Sequence, residues 1–92
     1  MLEDVKDALR ENGNDSDSEI LDLIESAKLD LEISGVEGTK IIDTDPLIKR
    51  AIILYCKAHF GYEDVNMSLR LQEAYISLKQ HLSLSKDYNG VV

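Results

Sequence analysis

The chain has 92 residues, of which 43% are hydrophobic and 30% charged, with a formal net charge of −8. That length leaves room for one domain, and that composition argues against general disorder. The sign of the charge opposes non-specific binding to a phosphate backbone, which needs Lys and Arg, although an acidic wall suits DNA that must slide past without sticking.

Leu2, Val5, Ala8 and Leu9 fall on one side of a short first helix. Asn12-Gly13-Asn14 is expected to stop it, with Gly13 in the left-handed C-terminal position. Asp15, Ser16, Asp17 and Ser18 form a polar turn whose side chains suit the cap of the next helix. That helix is predicted from about Glu19 to Ile33. Ile20, Ile24, Ala27 and Leu31 recur at helical spacing, and Glu19, Asp22, Glu25, Asp30 and Glu32 lie on the other face. Gly35 and Gly38 break the pattern, so residues 34–44 read as a loop in which Lys40-Ile41-Ile42 is a candidate extended piece with no strand to pair with inside the chain.

Asp45-Pro46 is the cleanest helix start. Asp45 supplies a capping carboxylate, and Pro46 sits at the first helical position, where its missing N–H costs nothing. The helix to Phe60 is apolar almost all round, interrupted by Lys49, Arg50 and Lys57, and is expected to be buried on most sides until Gly61 ends it. Residues 62–66 read as a connector. A last helix starts near Met67 or Ser68 with Asn66 as its cap and carries Leu71, Ala74, Tyr75, Leu78 and Leu82 as its stripe. The tail, 83–92, has weak helical character and an apolar end. The expected fold is all-α: a small bundle of about four helices around a central buried helix at about 45–60, with Ile24, Leu31, Leu47, Ala51, Ile52, Tyr55 and Leu78 in its core. A chain this short buries only roughly 60% of the surface its unfolded form exposes, so its core is thin and gains from association with other chains.

The charge is unevenly spread. Residues 1–46 hold 14 acidic and 4 basic side chains, and residues 47–92 hold 4 acidic and 6 basic. One reading is a solvated acidic face. The other is head-to-tail self-complementarity between copies, the kind of contact that closes into rings. The single cysteine, Cys56, excludes an internal disulfide. The acidic Met1-Leu2-Glu3-Asp4 is unlike a signal peptide, and the longest apolar run, Ala51 to Cys56, is far short of a bilayer span. Both point to a protein of the cytoplasm with no membrane partner.

Chemistry-bearing patterns are weak. Cys56 and His59 share a helix face, with His81 as a conceivable third ligand, but no CxxC, HExxH or second Cys accompanies them. As a nucleophile Cys56 would sit in an apolar run that raises its pKa. The oxygen-rich stretch from Asn12 to Asp17 fails the calcium-loop pattern, because no glycine falls at the sixth position; in the register that starts at Asn14, Glu19 stands there. No carboxylate pair stands in an evident apolar pocket, and no phosphate-cradling glycine loop is present. No enzyme site and no cofactor are expected.

The order of elements resembles the head–tail connector (adaptor) proteins of tailed bacteriophages and prophages. The features that carry the resemblance are residues 2–10 (LEDVKDALR), the turn Asp15-Ser16-Asp17-Ser18-Glu19, the helix from Ile20 to Lys28, and above all Asp45-Pro46-Leu47-Ile48 running on to His59-Phe60-Gly61-Tyr62-Glu63-Asp64. The resemblance covers about residues 1–82. It implies a structural subunit of a homo-oligomeric ring that matches the twelve-fold symmetry of the portal, sits below it and extends the channel for double-stranded DNA. It also implies docking of head-closure or tail-completion proteins, in the bacterial cytoplasm during assembly and at the head–tail junction of the virion. On this reading Asp15, Asp17, Glu19, Asp22 and Glu25 are candidates to face the channel. Lys40, Ile41, Ile42, Lys49 and Arg50 are candidate inter-subunit contacts, and Tyr88, Val91 and Val92 a candidate partner-docking tail. The competing expectation, resting on charge and size, is a small acidic helical regulator that binds a basic protein.

Overall fold

The computed structural model describes residues 1–60 and 64–90. Among them every regular element is helical: α1 (Leu2–Leu9), α2 (Asp17–Ile33), a short 3-10 turn (Gly38–Lys40), α3 (Pro46–His59), α4 (Val65–Leu84) and α5 (Lys86–Asn89). The all-α bundle around a central helix is thus the observed fold, with α3 packed against α1, α2 and α4. The expected helix end at Gly61, the connector residue Tyr62 and the tail residues Val91 and Val92 lie outside the described residues.

The core is assembled from one stripe of each long helix. Ile20, Ile24, Ala27 and Leu31 of α2 meet Ile48, Ala51, Ile52 and Cys56 of α3, with Tyr75 and Leu82 of α4 and Val5 of α1 closing the sides. Full burial of each such aliphatic side chain contributes about 1.5–3 kcal/mol relative to exposure. Tyr55 and Leu78 pack half-buried against this cluster. Leu47 is corrected: it is 37% exposed and outside the core, because it lies in the first turn of α3 at the edge of the buried arc. The same arc limits the burial of α3 as a whole. Its partners cover only the Ile48–Ala51–Ile52–Cys56 side, so Ile53 and Leu54 stay half-buried on the other. Ala74 of α4 is likewise exposed rather than in the stripe.

Helix ends follow local chemistry, though not always at the expected residue. Asp45 accepts hydrogen bonds from the N–H groups of Leu47 (2.9 Å) and Ile48 (3.2 Å) and so caps α3. Asp64, not Asn66, caps α4 by accepting from Asn66 and Met67. The turn before α2 provides no side-chain cap at all. α1 ends at Arg10, which takes the left-handed conformation (φ 60°), whereas Gly13 does not. α2 ends in a Schellman motif: Gly35 (φ 112°) donates its N–H to Glu32, and Val36 donates to Leu31 at 3.0 Å. Val36 is then buried in the core beside Leu31.

Residues 34–44 form no extended piece. Glu37, which caps the 3-10 turn, accepts from Thr39 N–H at 2.9 Å, and successive backbone bonds close the segment on itself up to Asp45. The tail is also not a free end. The Glu37 N–H donates to the Tyr88 carbonyl at 2.7 Å, and the Tyr88 hydroxyl donates to the Asp45 carboxylate at 3.0 Å. Loop and tail therefore satisfy each other within one chain.

Candidate functional surfaces

Three places concentrate polar or exposed apolar side chains, and each is positioned by the packing of α3. At the N-terminal end of α2, Asp15, Glu19, Asp22 and Glu25 are exposed. Asp17 is not part of this surface. It is half-buried and pairs at 2.9 Å with Lys6, which is 6% exposed. The bond to Asp17 raises the Lys6 ammonium above its ordinary pKa, against the opposing effect of burial. The carboxylate that looked like a helix cap is thus the counter-ion that lets α1 pack its lysine onto α2.

The second place is the outer side of α3. Thr44, Pro46, Lys49, Arg50, Ile53, Leu54 and Lys57 line an open groove of about 400 Å³. Lys49 lies 3.7 Å from Asp4. Arg50 and Lys57 make no ion pair with any described residue. Of the residues expected to contact neighbouring copies, Lys49 and Arg50 line this groove, and Lys40 and Ile42 are exposed on the loop. Ile41 instead packs half-buried against the chain's own core. Tyr88 is likewise turned inward, held by Asp45, because its ring covers the same cluster. Lys57, Ile53 and Leu54 were not singled out from the sequence. Their signal was the spacing of Arg50 and Lys57, seven apart and so on one helix face, hidden by the expectation of burial all round.

The third place is a cleft of about 250 Å³ between α2, α3 and α4, lined by Asp30, Tyr55, His59, Gln72, Tyr75, Ile76 and Lys79. Asp30 accepts from the Tyr75 hydroxyl at 2.6 Å and from Lys79 at 3.0 Å. Tyr55 packs edge-on to Tyr75 at 5.2 Å and against His59 at 4.4 Å. Burial pushes the Asp30 carboxyl up, but the bonds from Tyr75 and Lys79 outweigh it and hold the carboxyl below its ordinary value. Burial and the bond to Asp30 push the Tyr75 hydroxyl far up. An ionised acceptor held by a protonated phenol and a lysine is a structural clasp that ties α2 to α4.

Cys56 lies wholly in the core, and burial pushes its thiol up to about 12. His59 is exposed, so the two residues point to different environments. Among the described residues no group of three or more His, Cys, Asp or Glu side chains is arranged to hold a metal. No helix of the described residues is long and apolar enough to cross a membrane.

The chain matches the family described as phage connector protein over residues 1–89. It belongs to the phage connector protein family. No curated protein and no solved structure matches the chain significantly. The connector family is one of structural proteins that work with other phage head and tail components, so the chain has a connector-type structural role in the phage particle. The match covers α1 to α5, including the tail that folds back through Tyr88.

Proposed function

We propose that this connector protein forms a homo-oligomeric ring below the portal, with the portal's twelve-fold symmetry, extends the channel through which double-stranded DNA passes, and presents a docking surface for head-closure or tail-completion proteins. The observation that carries the proposal is the family match over nearly the whole chain. Two physical features support it. The thin core of a 92-residue chain is favoured by association, and Asp15, Glu19 and Asp22 stand exposed, without ion-pair partners among the described residues, at one end of α2. Repeated around a ring, these three carboxylates form an acidic lining that repels the phosphate backbone and lets DNA slide. Lys40, Ile42, Lys49 and Arg50 are proposed to contact neighbouring copies. The alternative of a small acidic regulator rests on net charge and size alone, and the fold adds nothing to it.

Native mass spectrometry of the chain alone, and mixed with the portal protein of the same phage, tests the ring. A closed oligomer of fixed copy number in either setting is expected. A chain that stays monomeric alone and also ignores the portal contradicts the proposal.

A further inference from the structure

The outer faces of α2 and α3 are complementary to each other, and they cannot meet within one chain. α2 packs on α3 through Ile20, Ile24, Ala27 and Leu31. At 100° per residue, Glu25, Leu29, Glu32 and Ile33 lie on the opposite side of α2, pointing away from α3. Leu29 is 59% and Ile33 83% exposed, one turn apart. Single exposed aliphatic residues are ordinary, but these two form a ridge with Glu25 and Glu32 along one side of it, and neither glutamate makes an ion pair with any described residue. The groove on α3 has the converse character. Half-buried Ile53 and Leu54 line it together with Arg50 and Lys57.

We infer that the α2 ridge of one copy seats in the α3 groove of the next. Leu29 and Ile33 fill the space over Ile53 and Leu54, and Glu25 and Glu32 meet Arg50 and Lys57. The dimensions agree: Glu25 to Ile33 spans about 12 Å and Pro46 to Lys57 about 16 Å at 1.5 Å per residue. The contact is heterologous, so it repeats from copy to copy and generates a ring when the rotation closes. This interface rests on the proposed ring and supplies its geometry. It also separates the acidic residues of α2 by role, leaving Asp15, Glu19 and Asp22 for the channel and giving Glu25 to the neighbouring subunit.

Charge reversal tests the pairing. One variant carries Arg50→Glu and Lys57→Glu, the other Glu25→Lys and Glu32→Lys. Each is compared with the unmodified chain by native mass spectrometry, alone and on the portal ring, after circular dichroism has checked helicity. Each variant by itself juxtaposes like charges across the contact and is expected to assemble at least about tenfold more weakly. An equimolar mixture restores opposite charges at every contact. It is expected to recover assembly, with the two masses in equal numbers. Recovery on mixing also excludes misfolding of either variant as the cause of the loss. Either variant assembling like the unmodified chain, or a mixture that stays dissociated, overturns this interface and leaves the ring itself standing. An unmodified chain that fails to assemble in both settings removes the ring, and the interface with it.

Discussion

α2 and α3 begin with nearly the same signal and use it differently. Both are preceded by aspartates in a polar turn. Asp45 keeps its carboxylate local, capping α3 through Leu47 and Ile48, and also accepts the Tyr88 hydroxyl from the far end of the chain. Asp17 gives its carboxylate to Lys6 of α1, and α2 starts with no side-chain cap. The two helices also share an inner apolar stripe and differ outside, acidic with exposed aliphatic residues on α2, basic around an apolar groove on α3. A helix boundary can be held by its own cap or by a tertiary contact, and the residue type before it does not say which.

The largest expected effect separates the inner and outer faces. Ile52→Ala removes a fully buried side chain and is expected to lower stability by about 2–5 kcal/mol. Leu29→Ala, on the outer face of α2, is expected to change it by less than about 0.5 kcal/mol. Chemical denaturation of both variants checks the contrast, and equal losses would break it. The two helix starts come next. Asp45→Ala removes a cap and is expected to cost about 1–2 kcal/mol, while Ser16→Ala, at a position that makes no capping bond, is expected to be near neutral. A similar denaturation series on Gly35→Ala should show a loss of about 1 kcal/mol, because only glycine takes that left-handed position without steric cost.

The smallest effect is a pH dependence. The Asp30 carboxyl is held below its ordinary value in the folded chain, so between the folded and unfolded pKa values the unfolded chain binds more protons. Its contribution is fully present above about pH 4 and is lost as the pH falls through the depressed value. Asp30→Asn should flatten the acid limb of a plot of melting temperature against pH; an unchanged limb would show that the Tyr75–Lys79 clasp is not formed in solution.

The fold was legible where the chain's own periodicity determines it. The stripes of α1 and α2, that of α4 apart from Ala74, and the Asp45-Pro46 start can be read directly, because a cap and a 3.6-residue repeat are local signals. What could not be read depends on residues distant in sequence. Lys6 claims Asp17, Tyr88 claims Asp45, and the Glu37 N–H reaches the Tyr88 carbonyl, so the loop and the tail that looked unsatisfied complete each other. The groove was hidden for a related reason. An all-round apolar sequence does not reveal that α1, α2 and α4 cover only one arc of α3. The candidate surface at Asp15, Glu19 and Asp22 was visible from charge density alone, and its loss of Asp17 was not.

Electron microscopy of the chain bound to its portal protein tests the ring most directly. A continuous layer of subunits coaxial with the portal, enclosing an open channel, is the expected image. Isolated copies scattered on the portal's edge, or a portal with no added layer at saturating concentration, would contradict it.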